Sequence, residues 1–393
     1  MVPEKLKENY RKAFERESDW GAAAPSSARV RHRYRGLIRL IEQDMLPLVG
    51  EDARFRANLL QDLGHVRGFV GRFDEAFDAL NEALALHESH ENLEGIIACW
   101  TDLANFQRDA ARFGSAIASY HELIRIAESA ADKADEAGAD GYCGLADIYR
   151  LQGRFRAALE NLDLAEQSGG AEPSVDLEGN ILWTRAYVYL NQGHFDKAAR
   201  CFAAMEARCN DGSYDERDKA PTWAGIGDLH RLTGRYEEAL ALYAKADASM
   251  ELQEDRTQRP WVLAVSALTA LQLGRIDEAR RWSLQSEYLS RGGDPMSVAW
   301  ALQARGEADR AAQANQEARA AHREALSIAV DVGCQFEEAH SRLILAILDR
   351  DVEGIKAARD HYAAMESDWG IETCDVVLHR IDERLTIGPL NFP

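Results

Sequence analysis

The sequence predicts an all-α fold: a right-handed α-solenoid of about eight helix-turn-helix repeats with capping helices at both ends. Three observations predict it. One signature, Gly-x-(large apolar) followed by Ala three residues later, keeps returning. It stands at Phe73/Ala76, Phe155/Ala158, Phe195/Ala198, Tyr236/Ala239 and Ile276/Ala279, and at Phe113/Ala116 without the Gly; the steps from Phe73 are 40, 42, 40, 41 and 40 residues. Internal self-similarity at a fixed period is the mark of a repeat architecture. Between signatures the apolar residues keep a helical period, as in Trp223, Ile226, Gly227 and His230. Finally, 393 residues at 46% apolar content can supply a continuous core.

The chain divides into an N-terminal helical cap over 1–50, the repeat superhelix over 51–366, and a C-terminal capping helix and tail over 367–393. Residues 3–17 and 27–46 read as the two cap helices. The second carries an apolar stripe of Val30, Tyr34, Leu37, Ile41 and Met45, with Arg31, Arg35 and Arg39 beside it. Those arginines form a capping surface for the acidic array or a docking helix for an acidic partner. About eight units then cover roughly 55–365. In 220–249 the first helix ends at Gly234, which accepts a left-handed conformation cheaply. The second places Tyr236, Ala239, Leu240, Tyr243 and Ala246 on one face. Small Gly227 and Ala239 let the two helices approach. A lone hairpin cannot cover its apolar face, so hairpins stack. Polar connections are expected at 168–175 and 208–221. The pentapeptide ESDWG occurs at Glu17–Gly21 and Glu366–Gly370, where a closing Gly is expected to stop a helix. Glu372–Leu385 reads as the closing helix, and TIGPLNFP as an extended tail.

These residues resemble the tetratricopeptide repeat family. The match rests on Trp223, Gly227, Tyr236, Ala239, Tyr243 and Ala246; on Tyr142, Leu145, Ala146, Tyr149, Phe155 and Ala158; and on Trp100, Leu103, Ala104, Phe113, Ala116 and Tyr120. The unit at Leu63, Gly64, Gly71, Phe73 and Ala76 departs at Arg67, where an aromatic is usual. The usual repeat is about 34 residues, so these longer units are similar to those of kinesin light chains, polarity adaptors and bacterial regulators that bind signalling peptides. The resemblance implies binding in the superhelix groove, which the first helix of each pair lines. By that implication the groove holds Asn105 and Arg108, Asp147 and Arg150, Asp228 and Arg231, and Glu307 and Arg310, with Trp183, Tyr187 and Asn191 in unit four. An acid or amide with Arg three residues on thus recurs in four units. Either it is an i,i+3 pair on a solvated face, worth only about 0.2–0.5 kcal/mol, or it is a ladder that grips an extended peptide. In the second case Arg would pair carboxylates, and Asn or Asp would hold backbone groups. The two-clamp pattern of chaperone-binding relatives is incomplete, because the Lys companions of Asn105 are missing.

The formal charge of −20 argues against nucleic-acid and anionic-membrane partners. It is uneven: residues 1–45 hold ten Lys/Arg against seven Asp/Glu (+3), and the remainder 36 against 59 (−23). Six Cys without a CxxC pair suit a reducing compartment. The opening MVPEKLKENY lacks an apolar signal core, so the expectation is a cytoplasmic protein. His87 and His90 have metal-like spacing without further ligands, and a Cys201–Cys209 disulfide has no support beyond proximity. No Gly-rich phosphate loop, HExxH or GxSxG is present, so neither metal nor cofactor is predicted. The sequence thus reads as a non-catalytic scaffold or adaptor with a protein or peptide partner. The alternatives are a regulatory receptor for a short signalling peptide, and an enzyme or catalytic-complex subunit with a small molecule in the groove.

Overall fold

A computed structural model describes residues 8, 10, 12, 34–50, 52–130, 135–170, 173–214, 216–252, 258–291 and 293–392. Arg31, Val30, Trp20 and the first ESDWG copy lie outside the described residues. The fold is an all-α repeat solenoid. Helix 34–39 continues through a wide π turn, Leu40–Met45, and a short 3-10 turn, Leu46–Leu48. Hairpins follow in order: α1 (Ala53–Phe69) with α2 (Phe73–Ser89), α3 (Leu93–Asp109) with α4 (Phe113–Ser129), α5 (Asp135–Leu151) with α6 (Phe155–Ser168), α7 (Val175–Gln192) with α8 (Phe195–Asp211). The series continues with α9 (Glu216–Leu232) and α10 (Tyr236–Leu252), α11 (Arg259–Gln272) and α12 (Ile276–Ser290), α13 (Pro295–Ala311) and α14 (Asn315–Val332), α15 (Gln335–Asp349) and α16 (Val352–Ala364), and ends on α17 (Asp368–Asp382). Among the described residues no helix is long and apolar enough to cross a membrane. All six cysteines are free thiols, including Cys201 and Cys209.

The signature explains the hairpins. Gly71, Gly153, Gly193, Gly234 and Gly274 sit in the turns with φ between 69° and 88°, the left-handed region that an L side chain enters at a cost of about 1–2 kcal/mol. Where the Gly is missing, Ala111 takes φ 56° itself. The apolar residue after each turn enters the second helix, and its Ala three residues on is fully buried in all six cases. Gly227 has a packing reason: a Cβ there would come within 2.6 Å of the Tyr243 ring.

Two expectations about connections need correction. The polar stretch 208–221 is not a long loop. Helix α8 runs to Asp211 and α9 starts at Glu216, because Tyr214 tucks into the core around Tyr187 and Phe202 and draws the connection tight. In Glu366–Gly370 the Gly does not stop a helix. Glu366 takes the left-handed turn (φ 60°), the Ser367 side chain caps α17 by accepting from Gly370 N–H, and Gly370 lies inside α17 against Tyr362.

The described chain forms two compact units. Unit 1 runs to Gly144 with short pieces at 167–172 and 252–254; unit 2 comprises Leu145–Glu166, Pro173–Glu251 and Asp255–Pro393. In unit 1, Tyr34, Leu37, Ile41 and Met45 join Leu59, Leu63 and Val66 in one core. In unit 2 the last helices return to the first. Phe155 meets Phe336 edge-on at 6.2 Å, the Ser367 hydroxyl donates to Asn191 O at 2.6 Å, and Arg156 reaches Glu366 at 2.5 Å. Residues up to 210 apart in sequence are thereby joined.

Candidate functional site: a polar ladder in unit 2

The ladder starts from helix geometry. Residues three apart share a face, so α9 presents Asp228 and Arg231 together, and α13 presents Glu307 and Arg310. The second helix of each hairpin reaches behind the acid. Tyr243 Oη donates to Asp228 Oδ1 at 2.7 Å, and Tyr187 Oη from α7 donates to Asp228 Oδ2 at 3.0 Å. In the α13 hairpin, His322 lies 3.8 Å from Glu307. In unit 1, Tyr120 Oη donates to Asn105 Oδ1 at 2.7 Å. Each of these second-helix partners stands fifteen residues after the residue it supports.

The acid then holds its arginine. Arg231 Nη2 and Nε donate to Asp228 Oδ1 at 2.7 and 3.2 Å, and Arg310 Nε and Nη2 donate to the two Glu307 oxygens at 2.9 and 2.7 Å. These pairs are not on a solvated face: Arg231 is 0% exposed, Asp228 1%, Glu307 0% and Arg310 9%. Burial alone would raise Glu307, yet Arg310 holds it below the ordinary carboxylate range. Burial lowers His322 to about 4 against the pull of Glu307, and it drives His340 well below the usual imidazole range, with the His322, Arg310 and Arg231 charges adding to it. Both rings are therefore neutral near pH 7.

What covers the pairs is the chain itself. Residues 387–392 belong to no helix or strand and bond to α9, α11 and α13. Arg310 Nη1 donates to Ile387 O at 3.1 Å and Nη2 to Gly388 O at 2.8 Å. Gln272 Nε2 donates to Pro389 O at 3.2 Å, and Leu390 N–H donates to Glu307 Oε2 at 3.4 Å. Arg231 Nη1 donates to Asn391 Oδ1 at 3.0 Å and also to Phe392 O, while Asn391 Nδ2 returns a bond to Arg231 O at 2.9 Å. The Phe392 ring stacks on His340, meets Trp369 at 5.3 Å, and is 2% exposed.

The sequence-derived residues fall in different places. Arg150 bonds Asp147 at 2.8 Å and lies over the rings of Trp183 and Tyr187. Tyr187 links that cluster to Asp228, so Asp147, Arg150, Trp183, Tyr187, Asp228 and Arg231 form one connected network. Asn191 is buried, and its carbonyl accepts from Ser367. Asn105 and Arg108 belong to unit 1, where Arg108 bonds its neighbour Asp109 at 2.9 Å. Arg35 and Arg39, also in unit 1, are exposed. The expected pairing of arginines with a ligand's carboxylates needs correction for Arg231 and Arg310: their own acids take that role, and their remaining N–H groups go to carbonyls. His87 Nδ1 meets Asn92 at 2.9 Å, and His90 Nδ1 meets Leu86 O at 2.8 Å, so both rings serve a helix end. Sequence reasoning missed Gln272, His340 and the seat of Phe392. Unit six lacks the acid-Arg pair, which is why Gln272 escaped notice.

Comparison with known proteins agrees with the fold. Residues 220–248 and 260–285 each match a tetratricopeptide repeat model. Over 192 residues, 49% of this chain, the sequence is 26% identical to Protein O-mannosyl-transferase TMTC1 of Homo sapiens, and the match spans 19% of that protein's length. A Rap protein complexed with competence and sporulation factor has a similar structure at TM-score 0.57 and 13% identity, covering 97% of this chain and 99% of that one. Aspartyl phosphate phosphatase F from Bacillus subtilis aligns at TM-score 0.45 and 13% identity, covering 98% and 96%.

Proposed function

We propose that this tetratricopeptide-repeat protein is a non-catalytic interaction scaffold whose unit 2 groove binds an extended peptide segment of a protein partner. One observation carries the reading: residues 387–392 already lie along the ladder as a bound peptide would, held by side chains to backbone oxygens rather than by secondary structure. Main-chain recognition of an extended segment gives affinity with little dependence on sequence, and a ring pocket adds selectivity. The Rap protein of similar fold, complexed with competence and sporulation factor, favours a second form of the same reading, in which the partner is a short free signalling peptide. Selection of a displayed random-peptide library on the full chain tests the proposal. With Phe392→Ala in both chains, so that residues 387–392 compete less, enriched peptides are expected to bind at least about tenfold more weakly when Gln272→Ala is added, about the worth of one good hydrogen bond. Peptides that bind the Phe392→Ala chain equally with and without Gln272→Ala would place the interaction elsewhere.

A further inference from the structure

We infer that residues 386–392 are a displaceable internal ligand, which closes the groove until a partner carrying an uncharged, extended apolar-Asn-aromatic segment replaces it. The inference rests on the groove being the binding site and goes further, because it names the ligand's chemistry and the competitor. Three features support it.

First, the groove is neutralised from within. Asp228 cancels Arg231 and Glu307 cancels Arg310. An acidic ligand side chain would meet Asp228 or Glu307. A basic one would meet the arginines. The segment that fits has neither: Thr386, Ile387, Gly388, Pro389, Leu390, Asn391 and Phe392 are all uncharged. The N–H groups left on Arg231, Arg310 and Gln272 suit carbonyl oxygens, and the Asn391 side chain both gives and accepts. Pro389 requires no N–H partner, so its place in the segment leaves no donor unsatisfied.

Second, the segment can leave without unfolding anything. Helix α17 ends at Asp382, and Glu383, Arg384, Leu385 and Thr386 are exposed. Residues 387–392 belong to no helix. Seven hydrogen bonds to the ladder hold them, together with the ring seat.

Third, the tether makes the segment a strong competitor. A short flexible link gives an effective concentration on the order of millimolar. A free peptide of equal chemistry therefore binds the native chain poorly, and binds well once the internal copy is weakened.

The test uses the full chain and a fluorescent peptide of residues 386–392, acetylated and amidated so that it carries no charge. Anisotropy titrations compare the native chain with the full-length Asn391→Ala/Phe392→Ala variant. The variant is expected to bind at least ten times more tightly. A peptide with Glu in place of the aromatic should lose that binding, as should the released variant carrying Gln272→Ala. Equal affinity for native and released chains, whether weak or strong, overturns the inference. If the double variant loses helicity, Phe392→Ala alone serves for the same comparison. Failure here is distinguishable from failure of the groove itself. Selected peptides that depend on Gln272 but show no preference for the released chain sink the internal ligand and leave the groove standing. Selected peptides without any dependence on Gln272 sink both.

Discussion

Units 1 and 2 are built from the same hairpin, yet their inner polar residues do different work. In unit 1, Tyr10 donates to Asp62 at 2.6 Å, His65 meets Asp102 at 3.0 Å, and Tyr120 bonds the neutral Asn105. In unit 2 the equivalents of Tyr120, which are Tyr243 and His322, stand behind the acids Asp228 and Glu307, and each of these acids holds an arginine with N–H groups to spare. An amide braced from behind closes a local contact. An acid-arginine pair braced from behind leaves a donor array that needs acceptors, and residues 387–392 supply them. The repeat thus fixes where a polar side chain stands, and the residue chosen there decides whether the groove recruits a peptide.

Four changes would break or sharpen this comparison. The largest is Arg231→Ala. It leaves Asp228 buried without its cation, and breaking a buried pair from one side costs about 3–5 kcal/mol. The matching Arg108→Ala in unit 1 removes a pair about one-third exposed and is expected to cost under about 1 kcal/mol. Urea unfolding of both variants measures the difference. Loss of Arg231 therefore perturbs the fold as well as the groove, so Gln272→Ala and the 391–392 variants are the cleaner probes of binding.

Next comes pH. Burial raises the Asp62 carboxyl to about 6, against the Tyr10 hydrogen bond. A raised folded value means stability gained below it and lost as pH rises through about 6. His322 is lowered to about 4. Its folded form refuses a proton that the unfolded form accepts, so stability is lost as pH falls from about 6.5 to about 4. Each shift is worth roughly 3 kcal/mol at full effect, at about 1.4 kcal/mol per pKa unit. The two oppose each other. Asp62→Asn is expected to make the melting temperature fall steeply between pH 6.5 and 4, and His322→Gln to flatten that fall. Identical pH profiles for both variants would contradict the assignment. His340 feels the charges of His322, Arg310 and Arg231 from neighbouring helices and adds to the His322 side of the balance.

Overpacking follows. Gly227→Ala drives a methyl group into the Tyr243 ring and is expected to cost about 1–3 kcal/mol by chemical denaturation. The smallest effect is a gain. Ala111→Gly relieves a left-handed alanine in the unit 1 turn that lacks the signature Gly, and about 0.5–1 kcal/mol of added stability is expected. The same relief is already present at Gly234 in unit 2.

The repeat, its hairpins and the Asp228–Arg231 and Glu307–Arg310 spacing were legible in the sequence, because all depend on contacts within about forty residues. The supports at fifteen residues were also written there: Tyr120, Tyr243 and His322 stand at constant offsets, and only their role as braces went unread. What could not be read was long-range. Residues 387–392 reach Arg231 across 160 positions and Arg310 across about 78, and no local period records a segment returning that far. The apolar, Pro-containing composition of TIGPLNFP said extended but not where.

The most direct measurement places 4-fluorophenylalanine at position 392 of the full chain and follows its fluorine resonance. Seated between His340 and Trp369, the ring should give a strongly shifted signal, and a Gln272-dependent peptide should move it to the position of a free side chain. A signal already at the free position without any peptide would contradict the claim that the ladder of unit 2 holds an extended segment.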